Sequence, residues 1–255
     1  MTMSFTNKFA IIIILLLYVP GVVQASEWTQ EIEVYILASS IEGDAGIGRA
    51  EVGDVDVDFS DILEVLKIAG MVHYEIYQES GWGLILDYGF MDLRDDISGP
   101  RDGVADFKVR QAVFQADVMY RVPLADGTLD YLGGIRWWDN DLEAQLDPSL
   151  LPGSLSADSK EDWVDIFVGA RWSQSINNEW SYVLRGDVGG FGLEADFTAS
   201  ISGGFKYMLT ETLVLDMQYK ATWVDYEDGA EGEPGYFSYN TVTHGPIVGL
   251  IYKFK

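Results

Sequence analysis

Acid–base chemistry has few carriers in this chain. Among its 255 residues there are two histidines, His73 and His244, and no cysteine. Histidine is the side chain most often used to move protons near neutral pH, so that chemistry would fall on one of these two. A three-residue turn at Glu79-Ser80-Gly81, with glycine in the left-handed position, sets His73 opposite Asp87. A base beside an orienting carboxylate is two parts of a hydrolytic relay, but the spacing brings no nucleophile to it. His244, in T-H-G-P, has no partner nearby in sequence. Without cysteine, thiolate metal sites and disulfides are excluded. Asp54, Asp56 and Asp58 suggest a calcium loop, yet Phe59 and Val65 stand where such a loop needs Gly and Glu. They read better as part of a short acidic hairpin, followed by one helical turn over 59–66. No cofactor is expected.

The larger set of reactive groups is ionic. His73, Glu75, Asp87, Asp117, Arg121, Asp130, Arg136, Asp165, Arg171, Arg185, Asp187, Lys206, Asp216 and Lys220 fall on one parity of segments whose other parity is apolar. A four-residue turn at 124–127 pairs Arg121 with Asp130, and a turn at 177–179 sets Arg171 beside Arg185. Asp165, Asp187 and Asp216 are the expected neutralising partners of those two cations. Charges so arranged either fill a small lumen as a packed ion network or line a narrow wet channel. The packed network is the primary expectation, because a small barrel is mostly filled by its own side chains.

Strands must position these groups. From Glu161 to Phe191, Val164, Ile166, Val168, Ala170 and Trp172 alternate with Asp165, Gly169, Arg171 and Ser173. After Asn177-Asn178, Trp180, Tyr182, Leu184 and Val188 alternate with Ser181, Arg185 and Asp187. Period-two alternation is the signature of strands. Full charges in mid-strand are costly in a dry soluble core, so the apolar face is expected to meet lipid and the charged face a lumen. The same rule predicts ten strands, at 28–41, 65–78, 82–93, 105–122, 128–143, 162–176, 180–190, 195–208, 212–226 and 237–254. Short connections alternate with longer acidic ones at 42–64, 94–104, 144–161 and 227–236, and 191–194 breaks that rule. The fold class is all-β: an antiparallel up-and-down transmembrane β-barrel of ten strands, with eight or twelve as alternatives. A secreted lipocalin-like barrel would need the opposite facing of every strand.

Residues 1–25 read as a secretory signal, with basic Lys8, an apolar run from Phe9 to Tyr18 and small residues at Val23 and Ala25. Residues 26–255 then form one barrel domain. The chain has 41 acidic and 16 basic residues, a net charge of −25, which argues against nucleic acid as a partner. Eight Trp and 14 Tyr suit interfacial girdles at strand ends. Arg94, Lys108 and Arg110 have outward parity near the upper ends of neighbouring strands, where they are expected to meet lipopolysaccharide phosphates or to snorkel.

The segments D-W-V-D-I-F-V-G-A-R (162–171), R-G-D-V-G-G-F-G (185–192), V-D-V-D-F-S-D-I-L-E (55–64) and V-T-H-G-P-I-V-G-L-I-Y-K-F (242–254) resemble a broad group of Gram-negative outer-membrane β-barrel proteins. The resemblance covers most of the chain after the leader. It implies the barrel fold, the bacterial outer membrane as location, and lipid, lipopolysaccharide and the barrel-assembly machinery as partners. It implies no substrate; small solutes are partners only on the channel reading. Members tend to end on an aromatic residue read during assembly; here Lys255 follows Phe254.

Overall fold

The computed structural model describes residues 28–47, 50–101, 104–146, 156–230, 233 and 235–254. The leader 1–25 and Lys255 lie outside the described residues. The chain forms one antiparallel sheet of twelve strands closed on itself. They are β1 (Trp28–Leu37), β2 (Ser40–Ile47), β3 (Ala50–Val57), β4 (Leu66–Gln78), β5 (Trp82–Arg101), β6 (Val104–Leu124), β7 (Gly127–Leu146), β8 (Ser156–Ser175), β9 (Trp180–Gly189), β10 (Phe197–Met208), β11 (Leu213–Asp228) and β12 (Phe237–Lys253). A helix, α1 (Phe59–Val65), links β3 to β4.

β1 and β2 work as one barrel strand. β1 pairs with the end of β12 from Glu31↔Lys253 to Leu37↔Ile247, and β2 continues in the same register from Ser40↔His244 to Ile47↔Phe237. Between them the Ala38 N–H still donates to the Pro246 carbonyl at 2.9 Å. On its other edge β1 pairs with β4, and β2 pairs with β3. The result is a closed ten-strand barrel with β3 as one extra strand. The stretch 42–64 is therefore the β2–β3 hairpin and α1, which buries Ile62 and whose Phe59 N–H donates to Ser40 Oγ at 3.2 Å.

Strand extends from both sides into the connections read as acidic loops at 94–104 and 144–161: β5 runs to Arg101, β6 starts at Val104, β7 ends at Leu146 and β8 begins at Ser156, while 102–103 and 147–155 lie outside the described residues. Acidic side chains weaken an alternation signal, but a ladder of backbone hydrogen bonds extends past it wherever both neighbours continue. β9, by contrast, has 10 residues against 20 in β5, β7 and β8, so the wall is low at the 190–196 turn. There Gly190, Phe191 and Gly192 hold φ of 81°, 55° and 67° in succession, the left-handed region that glycine enters freely.

Facing follows parity around the sheet. Leu213, Leu215, Met217, Tyr219, Ala221 and Trp223 point outward on β11, then Asp225 ends the belt. Those ten steps along a strand tilted by about 45° span roughly 24 Å, the height of the apolar band of a membrane barrel. Trp82 packs on Tyr120, Trp172 on Tyr182, Trp180 on Tyr207 and Tyr252 on Phe254, forming an outward aromatic girdle near the end that carries the short turns and both described termini. That end is called the turn end below, and the opposite one the rim.

Candidate functional site

The expected registers form. His73 pairs with Asp87, Arg121 with Asp130 and Arg171 with Arg185. The 79–81 turn closes with Gly81 at φ 92°, and Leu124↔Gly127 tightens the next turn to two residues without changing the register. In the turn between β8 and β9, the Asn177 side chain accepts the N–H groups of Glu179 and Trp180, which fixes the hairpin that brings Arg185 beside Arg171. All fourteen ionic residues singled out above lie on the inward parity of their strands.

Their pairing differs from expectation. Arg171 is buried and bridges Glu75 on β4 and Asp130 on β7, both at 2.7 Å. Arg121 binds the same two carboxylates, Asp130 at 2.7 Å and Glu75 at 2.9 Å, and lies over the Tyr77 ring at 4.0 Å. Arg185 takes Asp117 at 2.7 Å and stands 3.8 Å from Asp187, which Arg136 holds at 2.8 Å. Gln115 ties these together, accepting from Arg136 and donating to Asp117, each at 2.9 Å. Asp165 and Asp216 are not the partners of Arg171 and Arg185. Asp165 accepts the indole N–H groups of Trp138 and Trp163 at 3.0 and 3.3 Å, and Asp216 accepts from Gln218 at 2.7 Å. In a barrel as narrow as this, long guanidinium arms reach across the lumen to strands remote in sequence, which a register between neighbours does not encode.

His73 Nδ1 lies 3.1 Å from Asp87, whose carboxylate also accepts the Tyr35 hydroxyl at 2.9 Å, and its Nε2 lies 3.8 Å from Glu75. Its ion-pair and hydrogen-bond partners among the described residues are these two carboxylates. His244 faces outward. Its ring lies 2.7 Å from the Tyr219 hydroxyl and 3.2 Å from Glu42, a contact the sequence hid because Glu42 is on β2. Arg110 also faces outward, held by Asp141 at 3.3 Å and Asp92 at 3.5 Å. Lys108 is on the same face one step nearer the rim, whereas the side chain of Arg94 lies outside the described residues.

Above the ions, toward the rim, lies a cluster the sequence reading assigned to girdles. Trp138, Trp163, Tyr226, Phe237 and Tyr239 point inward and bury Ala195 from the low 190–196 turn. Trp163 stacks on Tyr226 with ring centroids 4.0 Å apart and planes 8° from parallel, and on Trp138 at 5.6 Å. Phe237 lies 5.9 Å from Tyr226 and 6.5 Å from Tyr239. Parity was the available signal: Trp163 precedes Asp165 by two residues, and Trp138 follows Arg136 by two. Among the ions remains a cavity of about 90 Å³, space for roughly half a dozen waters, lined by charged and hydroxyl groups that include Lys206 and Lys220.

Neither a family model nor a curated protein sequence matches the chain. Among solved structures, the outer membrane protease OmpT from Escherichia coli superposes over 91% of this chain and 98% of its own, with a TM-score of 0.50 at 9% identity. The fold is that of an outer-membrane β-barrel. The translocator domain of the autotransporter NalP from Neisseria meningitidis covers 98% of this chain and 96% of its own, at 11% identity and a TM-score of 0.46. The toluene transporter TbuX from Ralstonia pickettii covers 91% and 90%, at 9% identity and a TM-score of 0.42. At these identities the likeness is one of fold. In this chain the barrel's lumen holds the ion network and the inward aromatic cap.

Proposed function

We propose that this chain is a closed barrel of the bacterial outer membrane, serving as a structural element rather than as an open pore or an enzyme. The observation that carries the reading is the aromatic cap. Trp163 and Phe237 are each 1% exposed, so the rim end of the lumen has no room left at that level. Beneath it, Arg121 and Arg171 share Glu75 and Asp130, cross-linking β4, β6, β7 and β8 through the interior. An enzyme would need a nucleophile beside His73, and its partners favour a structural role for that ring. In the membrane, the turn end faces the periplasm, and Lys108 and Arg110 sit at the outer headgroup level near lipopolysaccharide. There a phosphate contacting Arg110 competes with Asp92 and Asp141.

Planar-bilayer recording on the purified protein tests the closed state. The wild type is expected to be silent, and Trp163→Ala combined with Tyr226→Ala is expected to give discrete conductance steps. Steady ion conduction by the wild type would overturn the reading in favour of a narrow small-solute channel.

A further inference from the structure

The lumen cavity is lined by charge of both signs, arranged in two rows. Along one wall Glu33, His73 and Asp87 stand side by side on β1, β4 and β5. Along the other, Lys220, Ser202, Arg185 and Arg171 stand side by side on β11, β10, β9 and β8. In barrel order β4 and β9 are five strands apart, as are β5 and β10, so His73 and Asp87 face Arg185 and Ser202 across the ten-strand ring, while Glu33 and Lys220, at the other ends of the rows, have only β12 between their strands.

Much of this charge is paired, but not all. Among the described residues Lys206, Lys220 and Glu33 have no ion pair within 4.0 Å and no hydrogen bond, and all three line the cavity. Glu33 is more than nine-tenths buried. Asp216 and Arg136 also line the cavity, and each has one buried side-chain atom without a hydrogen-bond partner. A buried ionised group without a partner is costly. Water can solvate them but brings no counter-charge. A lone anion answers Lys220 but not Glu33, and a lone cation does the reverse.

We propose that the cavity binds a small zwitterion. Its carboxylate is received by Lys220 and Ser202, and its ammonium by Glu33. The cavity volume limits the ligand to a few heavy atoms, the size of the smallest amino acids. Entry is from the turn end: Lys206 and its cross-strand neighbour Asp216 lie only a few residues from the 209–212 turn, whereas the aromatic cap closes the other side. The site requires binding only, so it stands whether or not the lumen conducts.

Equilibrium dialysis of the full-length protein in detergent micelles with radiolabelled glycine tests it, with heat-dependent gel mobility reporting the folded state. Saturable binding at one glycine per barrel is expected, with acetate and methylammonium competing at least tenfold more weakly than unlabelled glycine. Glu33→Gln and Lys220→Met are each expected to weaken binding at least tenfold, while Lys220→Arg retains it and guards against a variant that fails to fold. Absence of saturable glycine uptake by folded protein would overturn the proposal, leaving a hydrated void. So would acetate binding as tightly as glycine, which marks a plain anion site, or unchanged affinity in both charge-removing variants. Bilayer silence or conduction is read separately and bears only on the closed state.

Discussion

Replacing Arg171 by Met tests the interior network most directly. Arg171 is 7% exposed, and the two carboxylates it bridges, Glu75 and Asp130, are 1% and 0% exposed. Removing one member of a buried ion pair costs about 3–5 kcal/mol, because the charge left behind has neither partner nor water. Here Arg121 still reaches both carboxylates, so Arg171→Met belongs near the lower end, about 3 kcal/mol. Arg121 is more exposed and its loss alone is screened, so Arg121→Met is expected to cost roughly 1–2 kcal/mol. The double variant strips Glu75 and Asp130 of both cations at once. Its cost is expected to exceed the sum of the single ones by at least about 1 kcal/mol, the usual coupling of groups sharing partners. Equilibrium urea unfolding in lipid vesicles, followed by tryptophan fluorescence, measures all three. Arg171→Met within about 1 kcal/mol of wild type, or strict additivity, would refute the idea that the two guanidiniums share one buried pair of carboxylates.

Other outcomes follow from facing and backbone. Val168→Arg places a cation on the lipid side near mid-height and is expected to cost about 2–4 kcal/mol in vesicle-based unfolding, with little effect if that face were not in lipid. Gly204→Ala puts a Cβ against the Met217 carbonyl oxygen on β11 and is expected to lower refolding yield, whereas Gly70→Ala, with open space around its Cβ, is tolerated. Gly190→Ala forces a side chain into φ 81° beside the Ala195 carbonyl and is expected to cost about 1–2 kcal/mol, read as a lower urea midpoint. Lys108→Ala is expected to weaken association with lipopolysaccharide vesicles severalfold at low salt and to do little at high salt, as a headgroup contact requires.

What the sequence exposed was whatever period two encodes. Leu213 to Trp223 on one parity and Asp216 to Lys220 on the other locate strand, facing and neighbour register together, and the His73–Asp87 and Arg121–Asp130 pairs come from turn length alone. Groups joined across the lumen were invisible. Nothing local links Glu75 to Arg171, or Trp163 to Tyr226, because those contacts depend on barrel diameter and strand tilt. Composition misled in two places. The acidic stretches 94–96 and 156–161 look like loop yet pair in the ladder, and aromatic residues near strand ends look like girdle even where parity turns Trp138 and Trp163 inward.

The unbroken register joining residues 28–47 to β12 bears on how such a wall is made. The seam unites the first strand with the last, so the ring has no way to seal until the final residues have emerged and been delivered. Until that moment both borders of the growing sheet stay open, and each is competent to pair with a neighbour's. A chain shortened by its last strand would lose more than one stave, since the edges of β1, β2 and β11 would be left without their mate.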